Sequence, residues 1–328
     1  MAAWRAAGFD VAAVTTGEDL RAGSRTDSRL RERVEAFRPD IVQVGPLTNP
    51  AWDVIGIWDG PLIATSWGFD LLQEIDQDLG VEERARAVLE RANLLFVDND
   101  APRKRALELG VDAGRIVQFP WGLDEQWFAL RDAPAMSDPT TLNVVCTRRH
   151  EEIYRVGDVL ASFIDAALDR GNIRLHLIGS GSLTPELETR VAASGLAHRI
   201  DFLGELENSL LPEAYRRADI YVTASEVDGT SVSLLEAMAS SAVVVASLNA
   251  GNVQWLSDDT GYGFDVGDIS ALTTILVGLA AMDPDSIAEA RRRAAGGRAQ
   301  VERNANWKVT AQRFPDFARA AIDHWEGA

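Results

Sequence analysis

Short apolar runs rich in Val, Ile and Leu recur along the whole chain, separated by longer stretches in which hydrophobic side chains return every three or four positions. The runs at 41–47, 62–68, 93–99 and 115–122 read as buried strands in a first half, and those at 142–148, 173–181, 199–205, 219–225 and 242–247 in a second. Segments 82–92, 156–170 and 269–282 carry helical periodicity. Strand and helix in alternation predict right-handed crossovers and parallel sheets with helices on both faces, an α/β class. Residues 130–141 hold two prolines and no periodicity and read as a linker between the halves. The expectation is two Rossmann-like, doubly wound domains facing a cleft, over 1–130 and 131–305, with 306–328 as a C-terminal helix returning to the first. In such sheets ligands settle beyond the carboxyl ends of the strands, so the loops there are the places to look for chemistry.

Composition narrows the function classes. With 328 residues, 46% of them hydrophobic, the chain exceeds what one core normally holds. No apolar run approaches the roughly 18 residues of a membrane span, and the first residues lack the pattern of a secretory signal, so a cytoplasmic location is expected. A formal charge of −18 sets the chain against nucleic acid as a partner. One segment runs the other way: residues 21–38 hold six arginines and three acids, enough to meet an anionic membrane surface or a phosphorylated acceptor, although a solvated helix face is the ordinary reading. The single cysteine, Cys146, lies in the apolar run LNVVCT, which precludes an internal disulfide and places it in a buried strand.

The stretch DGTSVSLLEAMASSAVVVAS, 228–247, draws attention because a glycine turn, hydroxyl residues, a helical run and an apolar strand follow one another directly. Gly229 permits a tight turn into a helix beginning near Thr230 or Ser231, whose unpaired amides suit a phosphate. Asp228 stands before that helix and Glu236 inside it. Ser233 and Glu236 also fit the S-x-x-E capping box, which would make the glutamate a helix-start device. Apolar residues at Val232, Leu235 and Met238 argue that the helix has already begun by then. Both readings stay open on these residues alone.

The same stretch resembles the donor-site signature of the retaining glycosyltransferases of family 4, two acids enclosing seven residues ahead of an E-A-M-A helix and a strand. Further segments fall in that family's order and approximate spacing, among them TSWGFDLL, RHEEIYRVGDVL, LHLIGSGS, IDFLGEL, AYRRADIYVTAS and GNVQWLSDDTGYGFDVGD. The resemblance implies a GT-B fold and a nucleoside-diphosphate sugar as donor substrate, with no cofactor and no metal. It implies that Glu236 contacts the ribose hydroxyls, that Asp228 faces the transferred sugar, and that amides around Gly229, Thr230, Ser231 and Val232 hold the diphosphate. Arg148 matches the phosphate-binding arginine. The partner lysine is missing, and Arg155 is the candidate replacement. Gly179, Gly181, Leu235, Gly251 and Asn252 complete the donor-side set. The family usually has glutamate where this chain has Asp228, which bears on sugar preference.

On the acceptor side, Trp67 stands where many relatives have histidine, beside Gly68 and Asp70. Trp67 cannot act as a base but can wall an acceptor sugar. Asp70 is the first-domain acid to test, with a helix N-cap ahead of LLQEI as its alternative. The expected activity is metal-independent, retaining transfer of a sugar to the hydroxyl of a carbohydrate, lipid-linked or small-molecule acceptor. The alternatives are a noncatalytic or impaired sugar-nucleotide-binding protein and a sugar-nucleotide epimerase, which would need more acids and histidines in the cleft than four histidines supply. Residues 9–16, FDVAAVTT, read as the family's second strand, so its first strand and glycine-rich loop are expected to be missing. Either Met1 is not the natural start, or the chain transfers sugar poorly.

Overall fold

The computed structural model describes residues 5, 8–14, 28–129, 134–138 and 140–327. The chain divides into two compact units, one formed by residues 1–122 with 308–328, the other by 123–307.

The first unit is built on a four-stranded parallel sheet in the order β1-β2-β3-β4, formed by Val42–Val44, Leu62–Thr65, Leu94–Val97 and Ile116–Gln118. Both inner strands, β2 and β3, are buried at every position, as expected for strands covered on both faces. Helix α1, Leu79–Arg91, begins at Asp78, whose carboxylate accepts the amides of Gly80 and Val81, and it buries Ala85, Val88 and Leu89. The C-terminal helix Phe314–Glu326 belongs to this unit. Its Phe317 ring lies 5.5 Å from Phe96 of β3 and 6.0 Å from Phe119. The strand expected at 9–16 does not form over 9–14: these residues have no ladder partner among the described residues, and a strand exists only by pairing. Residues 15 and 16 lie outside the described residues, as do 21–27 of the basic segment. The remainder of that segment enters the helix Ser28–Phe37.

The second unit carries six parallel strands in the order β10-β9-β8-β5-β6-β7. They are β5 Leu142–Cys146, β6 Ile173–Ile178, β7 Ile200–Gly204, β8 Ile220–Thr223, β9 Val243–Ser247 and β10 Tyr262–Phe264. Strand β10, over YGF, is too short and too polar to register as an apolar run. Helix α2, Val156–Asp169, packs an apolar face that includes Val159, Leu160 and Phe163 against the sheet. Helix α3, Leu211–Arg217, buries Tyr215, and helix α4, Val232–Ala239, buries Leu234, Leu235, Ala237, Met238 and Ala239. Cys146 is buried at the end of β5, and burial pushes its thiol up to about 11.

The chain changes unit at Gly122/Leu123 and not at the proline-containing stretch. The Leu123 amide donates to Ala305 O at 2.7 Å and its carbonyl accepts from Trp307 N, which fastens this segment to the second unit. Of the expected linker, 130–133 and 139 lie outside the described residues. The part at 134–138 is not free: Ala135 and Met136 are buried, and the Met136 amide donates to Asp219 at 2.6 Å. A buried carboxylate that accepts two backbone amides, here Met136 and Asn143, anchors the segment to the core.

Asp70 organises the turns after β1 and β2. It is wholly buried, and its carboxylate accepts from Leu47 N at 2.9 Å, Ser66 Oγ at 2.6 Å, Leu71 N at 3.0 Å and Trp67 N at 3.2 Å. Burial raises its pKa, and these four donors pull it back. The N-cap expected of it falls to Gly68, and Asp70 lies inside the short helical turn Phe69–Leu72. Replacing Asp70 with alanine leaves several buried donors unsatisfied, so Asp70→Ala should destabilise by roughly 2–4 kcal/mol in urea unfolding followed by tryptophan fluorescence. A variant as stable as the parent but inactive would give Asp70 a chemical role instead.

Candidate functional site

Strand order locates the site. From β5 the chain runs outward through β6 and β7, then returns to the other side of β5 for β8, β9 and β10, so the β5/β8 pair is a topological switch point. Loops leaving two such strands diverge and open a crevice at their carboxyl ends. Arg148 lies on the loop after β5 and Asp228 on the loop after β8, and they meet across this gap.

Arg148 Nη2 donates to Asp228 Oδ1 at 2.6 Å, and Nη1 donates to Ser231 Oγ at 2.9 Å and Ser233 Oγ at 3.0 Å. The guanidinium also lies over the Tyr154 ring, 4.2 Å from its centre. Burial works against the charge of Arg148, and Asp228 more than offsets that, raising its pKa and keeping it cationic. The Nε of Arg148 is buried with no hydrogen-bond partner.

Helix α4 starts at Ser231, two positions before the residue a capping box would need, so Ser233 and Glu236 do not form that box. They share a face of the helix three positions apart. Ser231, the N-cap, places its hydroxyl on Arg148 and makes no cap bond to the helix amides. The first-turn amides therefore lack that side chain as an acceptor, which leaves the helix start fit for an anion beside a buried arginine. Val232 is exposed at this end.

Glu236 is partly buried behind the ion pair. Burial pushes its carboxyl up to about 7, while a hydrogen bond from Tyr215 and the charge of Arg148 act in the opposite direction. Leu235 is fully buried in the core, so its side chain faces away from the crevice. Glu226 is exposed on the loop before Asp228.

Neighbouring loops are held by close backbone approach. A Cβ on Gly251 would collide with the carbonyl oxygens of Gly229 and Asp228, so the loop after β9 can lie against the loop after β8 only with glycine there. Asn249 secures this contact: its Oδ1 accepts from Gly251 N and Asn252 N, and its Nδ2 donates to Ser225 O at 3.0 Å. Asn252 is fully buried and donates to Ser247 O at 2.9 Å. Gly179 has φ +130°, and a Cβ there would lie 2.7 Å from Arg148 O. Gly181 comes equally close to His150 O. Thus the glycines of LIGSGS seat the β6 loop against the Arg148 loop. His150 is buried, with Nδ1 2.8 Å from Thr184 Oγ1, and burial lowers its pKa.

The structure brings Arg148, Asp228, Ser231 and Glu236 into one locality, with Gly229, Thr230, Gly251 and Asn252 around it. Arg155 is in the left-handed region at φ 47°, and its Nε donates to Asp158 at 2.7 Å. In the first unit, Trp67 is half exposed, with Phe69 edge-on at 6.4 Å, and Gly68 has φ +89°. Sequence reasoning did not single out Thr147, Tyr215, Tyr221, Ser233 as an arginine ligand, or Asn249. The signal available for Tyr221 was its polar end within the apolar strand IYVT, and Tyr215, in LPEAYRR, gave none.

Residues 141–282 match the family model described as glycosyl transferases group 1. The phosphatidyl-myo-inositol mannosyltransferase of Mycobacterium leprae is 31% identical over 66% of this chain and 56% of its own length. The protein of the same name from Mycolicibacterium smegmatis is 27% identical over 79% of this chain and 67% of its own length. The chain thus spans little more than half to two thirds of these relatives. Among solved structures, Anabaena HepE in complex with UDP-glucose superimposes with a TM-score of 0.75 at 16% identity, covering 89% of this chain and 81% of that one. The fold is accordingly that of the GT-B glycosyltransferases, two parallel-sheet Rossmann-like units, with the glycosyl transferases group 1 match falling on the unit that carries Arg148, Asp228 and Glu236.

Proposed function

We propose that this protein is a retaining glycosyltransferase that moves a sugar from a nucleoside-diphosphate sugar to an acceptor hydroxyl without a metal ion. The observation that carries this reading is the buried Arg148–Asp228 pair at the β5/β8 switch point, beside the start of α4 and in front of Glu236. The names of the relatives, mannosyltransferases by sequence and a UDP-glucose complex by structure, support it and do not favour the noncatalytic or epimerase alternatives.

In the proposed reaction the diphosphate sits at the start of α4, with Arg148 and the first-turn amides facing its oxygens. Arginine suits this role because its planar fork of donors matches phosphate oxygens. Glu236 accepts hydrogen bonds from the ribose hydroxyls. Asp228 faces the transferred sugar. The acceptor oxygen forms a bond to the anomeric carbon on the face from which the leaving group departs, the bond from that carbon to the phosphate oxygen breaks, and the acceptor's proton passes to the departing phosphate. Charge gathers on the leaving group as this happens, so a preorganised cation stabilises the transition state more than the bound donor. The exposed ring of Trp67 offers the first unit a surface for an acceptor sugar. Contact of the basic segment with a membrane, and a cytoplasmic location, belong to the same proposal.

Two measurements test it. UDP and GDP binding, followed by calorimetry with chelator present, should weaken in Arg148→Ala by about 1.5–3 kcal/mol, the range for hydrogen bonds to charged groups. Because Asp228 then loses its partner, a melting curve must accompany the titration, and unchanged affinity in a folded variant removes Arg148 from the site. Glu236→Gln should weaken both nucleotides and leave pyrophosphate binding unaltered. With the Glu236 carboxyl near 7, the ionised form that accepts hydroxyl hydrogens grows as pH rises, so the parent's affinity advantage over Glu236→Gln should increase from pH 6 to pH 8, a comparison in which the ligand's own phosphate titration cancels.

A further inference from the structure

Behind the residues that face the crevice runs a hydrogen-bonded chain that ends on Glu236 and whose other members, Thr147 and Tyr215, have no part in the reaction as written above. The Thr147 hydroxyl and the Tyr215 phenol oxygen are 2.6 Å apart, and the phenol also hydrogen-bonds the Glu236 carboxylate. An ionised carboxylate can only accept, and a phenol has one hydrogen to give. With Glu236 ionised, the order follows: Tyr215 donates to Glu236 and accepts from Thr147. Tyr215 is wholly buried from α3, its ring 5.5 Å from Trp127 and 5.8 Å from Tyr221, so the phenol is held among rings away from water. Thr147 directly precedes Arg148 in the chain.

We propose that Tyr215 is a positioning residue of this site, holding the Glu236 carboxylate in place and tying it through Thr147 to the strand end that carries Arg148. The inference rests on the reading of Glu236 as the ribose contact. A carboxylate that must take two hydroxyl hydrogens at once has to be ionised and correctly turned, and a donor fixed in the core supplies both conditions from the side the ligand does not use. The charged and titratable groups around Glu236 are Arg148 from the β5 loop, with Asp228 paired to it, and Tyr215 from α3, with Tyr221 of β8 next to Tyr215. Tyr221 serves the other half of the site in a parallel way, its hydroxyl donating to Ser233 at 2.8 Å, the hydroxyl on which Arg148 also rests.

The test follows the ionisation of Glu236 directly, by carbon NMR of side-chain-labelled glutamate in the full chain, together with UDP and GDP titrations between about pH 5.5 and 9. Tyr215→Phe removes one hydroxyl from a buried ring and should raise the Glu236 midpoint by about one pH unit. Nucleotide affinity should fall at neutral pH, its pH midpoint should move up in step, and it should recover towards the parent value at the alkaline end. Thr147→Val should shift the midpoint in the same direction by less, and it carries the test if Tyr215→Phe does not fold. Tyr221→Phe, which removes a hydroxyl bonded to Ser233, should leave the Glu236 midpoint in place. An unshifted midpoint in folded Tyr215→Phe and Thr147→Val, or an affinity loss equal at every pH, overturns the positioning role. Should the midpoint shift as expected while Glu236→Gln leaves UDP and GDP binding unchanged, the hold of Tyr215 on Glu236 stands and the ribose reading falls.

Discussion

The candidate site depends on one buried ion pair. Arg148 and Asp228 each expose only about a tenth of their side chains, so neither charge is hydrated enough to stand alone. Removing a cation from water costs several kcal/mol, which a single carboxylate offsets only with good geometry and further hydrogen bonds. Here Ser231, Ser233 and the Tyr154 ring complete the arginine's surroundings. The result joins two loops that the strand order would otherwise send apart. It also holds the arginine beside the start of a helix, whose positive end favours an anion.

The surrounding loops can meet because they lack side chains where they touch. Gly251 against Gly229, Gly179 against Arg148 and Gly181 against His150 are contacts between backbones. Asn249 then substitutes for the ladder that loops do not have: its Oδ1 holds the loop after β9 in shape by accepting from Gly251 N and Asn252 N, and its Nδ2 ties that loop to Ser225 O of the loop after β8. Rigid placement of this kind would suit the proposed transfer, in which donors already aimed need no reorganisation when charge develops.

Glu236 shows how burial and hydrogen bonding set a working state between them. Desolvation alone would leave the carboxyl protonated and unable to accept, whereas the Tyr215 phenol and Arg148 bring it to a value near neutrality. The phenol itself is kept protonated by burial and by the adjacent carboxylate, so it has a hydrogen to give when Glu236 is ionised.

Much of this molecule was legible along the chain. Parallel strands covered on both faces are predominantly apolar, so β2, β3, β8 and β9 stand out as short runs dominated by Val, Ile, Leu and Ala, and the helices between them keep their period because only one face is buried. Asp228 and Glu236 could be noticed because glycine, hydroxyls and acids at a strand-to-helix turn have a local chemical meaning, whereas Arg148 was singled out only by its position in the family resemblance. The tertiary structure decided what depends on distant partners. Whether 9–14 is a strand depends on a neighbour to pair with, and whether Asp70 caps a helix depends on donors from Leu47 and Ser66. Arg155 finds its acid three residues on, in Asp158, and Tyr215 reaches Thr147, 68 positions away, only because β5 and α3 are brought together. Local sequence determines which segments bury themselves and how they are periodic. Which polar groups meet is set by the order of strands in the sheet, and no stretch of the chain read by itself contains that order.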